Sequence, residues 1–227
     1  MEFPVPVKVV VIDLDGTLLN TAPDLAYAAE KMMQELGRPV PDIDTIRSYI
    51  GNGVSRLVKR VLTGDMDADP EPEAFRHAYS IYEKHYSDNV ARESRPFPGV
   101  VEGLQKMREM GLHLACITNK AEKFTIPLLR DTGLLDYFEL VLSGDSLPKR
   151  KPDPLPLQHT CQHFGIAPDQ LLLIGDSLND TQAARAAGTH VFCVPYGYNR
   201  GRPVQELDLD AVVPSLADAC EKIVLAS

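Results

Sequence analysis

Apolar residues along this chain recur with two different spacings. Five short, nearly continuous apolar runs, at residues 7–12, 113–118, 140–143, 171–175 and 191–195, have the length of strands buried on both faces. Most are separated by segments whose apolar positions fall three and four apart, at residues 100–110, 123–132, 155–164 and 180–187, which predicts amphipathic helices. Strands alternating with helices predict an α/β fold, a doubly wound and mainly parallel sheet covered on both faces. Ligands of such a sheet gather outside the carboxyl ends of its strands.

Residues 18–98 break the alternation and read as helices. Pro23 at a first helical position and Gly37 just past the end bracket one of them. A second helical stretch at 42–49 is interrupted by Gly51-Asn52-Gly53, and the pattern resumes at 54–62. Residues 64–73, GDMDADPEPE, read as a solvated acidic connection, and 75–89 as a further amphipathic helix. The predicted organisation is a core from residues 1–17 and 99–227, with an all-helical insertion at 18–98.

Composition narrows the partners. A net charge of −9 over 227 residues disfavours nucleic-acid binding, and an anionic substrate would need a local cationic pocket. The four cysteines form no CxxC and fit a reducing compartment. No apolar run approaches the roughly 18 residues of a membrane span, and MEFPVPVK lacks a secretory pattern. A cytoplasmic protein, a monomer or small homo-oligomer, is expected.

The strand ends carry the candidate chemistry. In VVVIDLDGTLLN an apolar run stops at Asp13, and Asp15 follows two residues on. Two carboxylates beside an apolar sheet repel each other and lose hydration unless a cation offsets them. The second run ends in Thr118-Asn119, Lys149-Arg150-Lys151 follows the third, and the fourth ends in GDSLND, Gly175 to Asp180. In a parallel sheet these endings share one rim. Asp13, Asp176 and a carbonyl from the turn after Asp13 are hard oxygen ligands suited to Mg²⁺. A carboxylate can attack phosphorus, a second carboxyl can protonate the leaving oxygen, Thr118 and Asn119 can donate to phosphoryl oxygens, and a lysine supplies fixed charge.

In this order DLDGT, TN, KPDP and GDSLND resemble the four motifs of the haloacid dehalogenase superfamily. The resemblance spans the chain and implies a Rossmann-like core with a helical cap inserted after the first motif. Carried onto this sequence, it implies Asp13 as nucleophile, Asp15 as general acid and base, and Thr118 on the phosphate with Asn119 beside it. Lys151 would fix nucleophile and phosphate, with Lys149 a weaker candidate. Asp13, the Asp15 carbonyl and Asp176 would hold Mg²⁺, supported by Asp180. The acid at Asp15 favours a phosphatase or phosphomutase over a dehalogenase. Mutases resembling β-phosphoglucomutase carry a His where this chain has Leu25, although GVSR at 53–56 echoes them.

Three further strings, YIGNGVSRLVKRVL at 49–62, RPFPGV at 95–100 and YGYNRG at 196–201, resemble the phosphoglycolate phosphatase branch. They imply a small anionic phosphomonoester as substrate. The physical reading of the cap agrees: backbone N–H groups of Gly51, Asn52 and Gly53 at a helix N-terminus, with Arg56 one turn on, are expected to receive a carboxylate. A phosphatase of another small phosphate such as a sugar phosphate, a phosphomutase, and a non-enzymatic phospho-accepting module stand as alternatives. His159 and His163 are four apart but lack the Glu of a zinc-binding HExxH, and are expected to be structural.

Overall fold

The computed structural model describes residues 3–226. Among these described residues ten strands lie in chain order: β1 (Val5–Val7), β2 (Val9–Ile12), β3 (Leu19–Asn20), β4 (Arg95–Pro96), β5 (His113–Ile117), β6 (Leu140–Leu142), β7 (Leu171–Gly175), β8 (His190–Cys193), β9 (Ala211–Val212) and β10 (Ile223–Leu225). The α-helices among the described residues are α1 (Ala22–Glu35), α2 (Ile43–Ser48), α3 (Gly53–Thr63), α4 (Pro72–Ser87), α5 (Val100–Glu109), α6 (Glu122–Asp131), α7 (Leu155–Phe164), α8 (Leu178–Ala187) and α9 (Leu216–Ala219).

The central sheet has the order β6-β5-β2-β7-β8-β9, and every pair in it is parallel. All four β2 residues are fully buried, which is why this strand reads as an unbroken β-branched run. Their side chains alternate between two layers. Val10 and Ile12 pack with Leu104 and Met107 of α5, Phe124 and Leu128 of α6, and Leu216 of α9. Val9 and Val11 pack with Leu157 and Cys161 of α7 and with Ala183 and Ala184 of α8. Burying a side chain of this size contributes about 2 kcal/mol, so the strand is anchored from both faces. The doubly wound expectation holds.

Helices α1 to α4 lie between β3 and β4, and their apolar faces extend the first of those layers. Val54, Leu57, Val58 and Val61 give α3 one buried stripe, and Gly64 ends it in the left-handed conformation at φ 69°. The predicted break at 51–53 is real, while α4 begins three residues earlier than its apolar pattern suggests, at Pro72.

Two short strands close this unit. Leu19 and Asn20 pair antiparallel with Pro96 and Arg95, so the chain enters and leaves the helices side by side. The Asp24 carboxylate accepts from Glu93 N–H at 2.9 Å and from Ser94 N–H and Oγ at 2.8 and 2.7 Å, tying α1 to the return strand. The Tyr198 hydroxyl accepts from the Thr21 and Ala22 N–H groups at 2.9 and 3.0 Å, satisfying orphan donors at the start of α1.

Candidate active site

Strand register assembles the site. Ile12, the last residue of β2, lies opposite Cys116 on one side and Ile174 on the other, so Asp13, Thr118 and Asp176 emerge from three adjacent strands at the same edge. Lys151 reaches the same place from the turn before α7. Its buried ammonium donates to Asp13 Oδ1 at 2.8 Å, Asp180 Oδ1 at 2.7 Å and the Ile117 carbonyl at 2.7 Å, which uses all three of its protons. Lys149 instead pairs with Asp153 at an exposed position and takes no part.

Asp13, Asp176 and Asp180 offer oxygen atoms that all lie within 4.8 Å of one another, and all three residues are buried. Burial above all pushes the Asp13 carboxyl up to about 7, with Lys151 pulling it down and Asp180 adding to the rise. Burial, then the charges of Asp13 and Asp180, push Asp176 well above the usual carboxylate range. Burial opposes the Lys151 charge, yet Asp13 and Asp180 outweigh it and hold the ammonium above the usual lysine range. Fully ionised, three carboxylates around one ammonium would carry excess negative charge, and this all-oxygen donor set suits a hard divalent cation that offsets it.

The surrounding backbone is shaped to this cluster. Gly16 has φ 89°, and a Cβ there would overlap the Asp176 carboxylate. Asp176 also accepts from the Tyr198 N–H and, at 3.4 Å, from Thr17 Oγ1. Asp180 braces the loop rather than facing outward: its Oδ2 accepts from Ser177 N–H at 3.1 Å and Ser177 Oγ at 2.7 Å.

Asp15 lines the same cavity as Asp13. Its Oδ2 lies 3.1 Å from the Lys120 ammonium, while Oδ1 is buried with no hydrogen-bond partner among the described residues. Thr118 is buried at the cavity wall, its Oγ1 accepting from the Lys120 N–H at 3.2 Å. Asn119 departs from expectation. Its amide donates to Gly51 O at 3.1 Å and Lys151 O at 2.9 Å, so both side-chain donors are spent holding the helical loop and the Lys151 turn rather than free for a phosphate.

Gly51 and Gly53 border the cavity, and Asn52 lies next to them in the loop. The loop is held against the core: Gly51 O also accepts from Asn179 Nδ2 at 3.1 Å, and Asn52 Oδ1 accepts from Arg60 at 3.0 Å and Arg200 at 3.1 Å. A Cβ at Gly53, whose φ is 79°, would stand only 3.0 Å from Asn119 O. Arg56 is a correction. Its guanidinium donates to Met66 O at 2.9 Å and Asp69 Oδ1 at 3.0 Å, in the acidic 64–71 connection and away from the cavity. Residues two apart on a helix point about 200° apart, so once Val54 faces the cavity Arg56 faces away from it. The acidic connection is accordingly more than a solvated loop, since it folds back on Arg56, Lys59 and Arg60.

The Haloacid dehalogenase-like hydrolase family model matches residues 10–194, from β2 to just past β8. The chain belongs to that family. It is 75% identical over 218 residues to a phosphoglycolate phosphatase of Thiobacillus denitrificans, covering 96% of each chain. It is 60% identical to one of Nitrosospira multiformis, covering 98% of each. The crystal structure of a predicted phosphoglycolate phosphatase from Haemophilus somnus superposes with a TM-score of 0.87 at 33% identity, over 93% of this chain and 96% of that one. Among the described residues no helix is long and apolar enough to cross a membrane.

Two residues the sequence reading passed over belong to this haloacid dehalogenase-like site. Lys120 lines the cavity and touches Asp15; its signal was a lysine set directly after Thr118-Asn119 at a buried strand end. Tyr198 lines it too, joining Asp176 to the start of α1.

Proposed function

We propose that this protein is a Mg²⁺-dependent phosphatase that hydrolyses 2-phosphoglycolate to glycolate and phosphate through an aspartyl-phosphate on Asp13. The observation that carries the reaction is the pairing of Asp13, held by Lys151, with Asp15, whose unpartnered oxygen borders the same cavity. The substrate rests on the activity for which the two most similar relatives described above are named.

Asp13, Asp176 and the Asp15 carbonyl would hold the cation, whose chemistry is to neutralise the buried acids and polarise the phosphoryl group. Lys151 directs one Asp13 oxygen and leaves the other for attack on phosphorus. As the new O–P bond forms, the bond to the glycolate oxygen breaks, and Asp15 gives that oxygen its proton. Asp15, now a carboxylate, takes a proton from water, whose oxygen attacks the phosphoenzyme and releases phosphate with Asp13 restored. Asp180 keeps Lys151 and the Asp176 loop in place. Residues 18–98 act as a cap that moves about the paired strands β3 and β4 and excludes water when Gly51 and Asn52 meet the core.

Asp13, Asp15 and the Gly51 loop line one cavity. Leu25 lines it and offers no proton-shuttling side chain, which favours a hydrolase over a mutase. Phosphate release from 2-phosphoglycolate, sugar phosphates and an aryl phosphate, with Mg²⁺ and with chelator, tests the reading. A strong Mg²⁺-dependent preference for 2-phosphoglycolate is expected; sugar-directed turnover would overturn the substrate.

A further inference from the structure

With Arg56 turned away, the carboxylate end of the substrate lacks its expected side-chain cation. Two lysines line the cavity, and Lys151 has all three protons engaged by Asp13, Asp180 and the Ile117 carbonyl. The other is Lys120. Its side chain is 2% exposed, and its ammonium sits 3.1 Å from Asp15 Oδ2 and donates to the Tyr86 hydroxyl at 2.9 Å. Among the described residues Tyr86 is its hydrogen-bond acceptor and Asp15 its ion-pair partner, so at least one of its three protons is left over. Tyr86 packs edge-on to Phe124 at 4.9 Å, which holds its hydroxyl against the ammonium. The position of the charge is therefore fixed from both the helical insertion and the core.

The chemistry of the substrate sets where its carboxylate must fall. Asp15 has to reach the ester oxygen to protonate it, and in 2-phosphoglycolate a single methylene separates that oxygen from the carboxylate carbon. A cation beside Asp15 is thus within reach of the carboxylate when the ester oxygen is in place. A carboxylate enclosed here without a cation would be costly, because a buried unpaired charge keeps most of its desolvation penalty.

We propose that Lys120 is the specificity-determining contact of this site, its ammonium pairing with the substrate carboxylate while Asp15 serves the ester oxygen. This rests on the phosphoglycolate reading above. It assigns the selection of the carboxylate to the core strand end, with Tyr86 of α4 holding the ammonium in place.

The test compares two substrates, 2-phosphoglycolate and ethyl phosphate, which has the same ester oxygen and no carboxylate. Each is assayed with Mg²⁺ on the wild-type chain, Lys120→Met and Lys120→Arg. For Lys120→Met the kcat/KM on 2-phosphoglycolate should fall about a hundredfold or more. On ethyl phosphate it should fall by less than about tenfold, so that the preference between the two collapses, and Lys120→Arg should restore part of it. Equal losses on both substrates would overturn the proposal, since Lys120 would then act only through Asp15. No loss on 2-phosphoglycolate would overturn it as well. Should Lys120→Met fail to fold, Lys120→Gln carries the same comparison with a polar end against Asp15 and Tyr86. A wild-type chain that handles the two esters equally would refute both this inference and the substrate reading; a wild-type preference that survives in the variants refutes this inference alone.

Discussion

The metal-free cluster should make the protein lose stability as pH rises, and Asp13→Asn should remove much of that loss. Burial raises the Asp13 carboxyl from 3.8 to about 7, so the folded chain holds this proton where the unfolded chain has released it. A raised folded pKa gives stability that is fully present below about 3.8 and is lost as pH rises through about 7. At 1.36 kcal/mol per pH unit the whole loss is about 4 kcal/mol, and more than half of it falls between pH 5 and pH 8. Asp176 is shifted in the same direction and steepens the trend. Urea unfolding at pH 5, 6, 7 and 8 in chelator reads it. The wild-type chain should fall by at least 2 kcal/mol over that range, and Asp13→Asn, which keeps the shape without the charge, should be flatter by about that amount. Saturating Mg²⁺ should restore the wild-type chain at pH 8, because a cation bound only by the folded state stabilises it. Equal slopes for wild type and Asp13→Asn would refute the reasoning, since the proton on Asp13 would then have no part in the loss.

Other perturbations have equally definite outcomes. Lys151→Met leaves Asp13, Asp176 and Asp180 buried without their ammonium, and should cost about 3–5 kcal/mol in urea unfolding without divalent cation at pH 8. Gly16→Ala puts a methyl group against Asp176 at a φ of 89°, and should weaken activation by Mg²⁺ at least tenfold in a phosphate-release titration. Arg56→Ala should leave KM for 2-phosphoglycolate within about twofold of wild type, and its exposed pairs with Asp67 and Asp69 are worth about 1 kcal/mol or less in thermal unfolding.

What could be read from the sequence followed from how local its cause is. The five core strands are nearly continuous apolar runs because both their faces are covered, a property of each segment by itself. Asp13, Thr118, Lys151 and Asp176 stood out because each lies at or near the end of such a run, and parallel pairing brings those ends together. Strands β1 and β10 join residues 5–7 to residues 223–225, and no local pattern records so distant a partner. Strands β3 and β4 have two residues each, too few for a period to show. Spacing along the chain sets Arg56 one turn from the glycines, but rotation about the helix axis turns it toward Met66 and Asp69. An amide beside a phosphate motif can as well bind backbone, and the Asn119 side chain bridges Gly51 and Lys151. Lys120 was missed because a lysine after a strand ordinarily reaches water, and only the packing of Tyr86 from a distant helix makes it a buried cation.

The central claim is covalent transfer of phosphate to Asp13, and trapping the phosphoenzyme tests it most directly. Asp15→Asn lacks the acid for the glycolate oxygen as well as the base for water, so its phosphoenzyme should form slowly and break down more slowly still, and the wild-type chain quenched during turnover is assayed beside it. Mixed with Mg²⁺ and 2-phosphoglycolate labelled in its phosphate, and quenched in acid within seconds, the variant should carry label on the peptide containing Asp13, and hydroxylamine should release it. Asp13→Asn treated in the same way should carry none. Label on any other residue, or none on Asp13 of the wild-type chain quenched during turnover, would contradict the account.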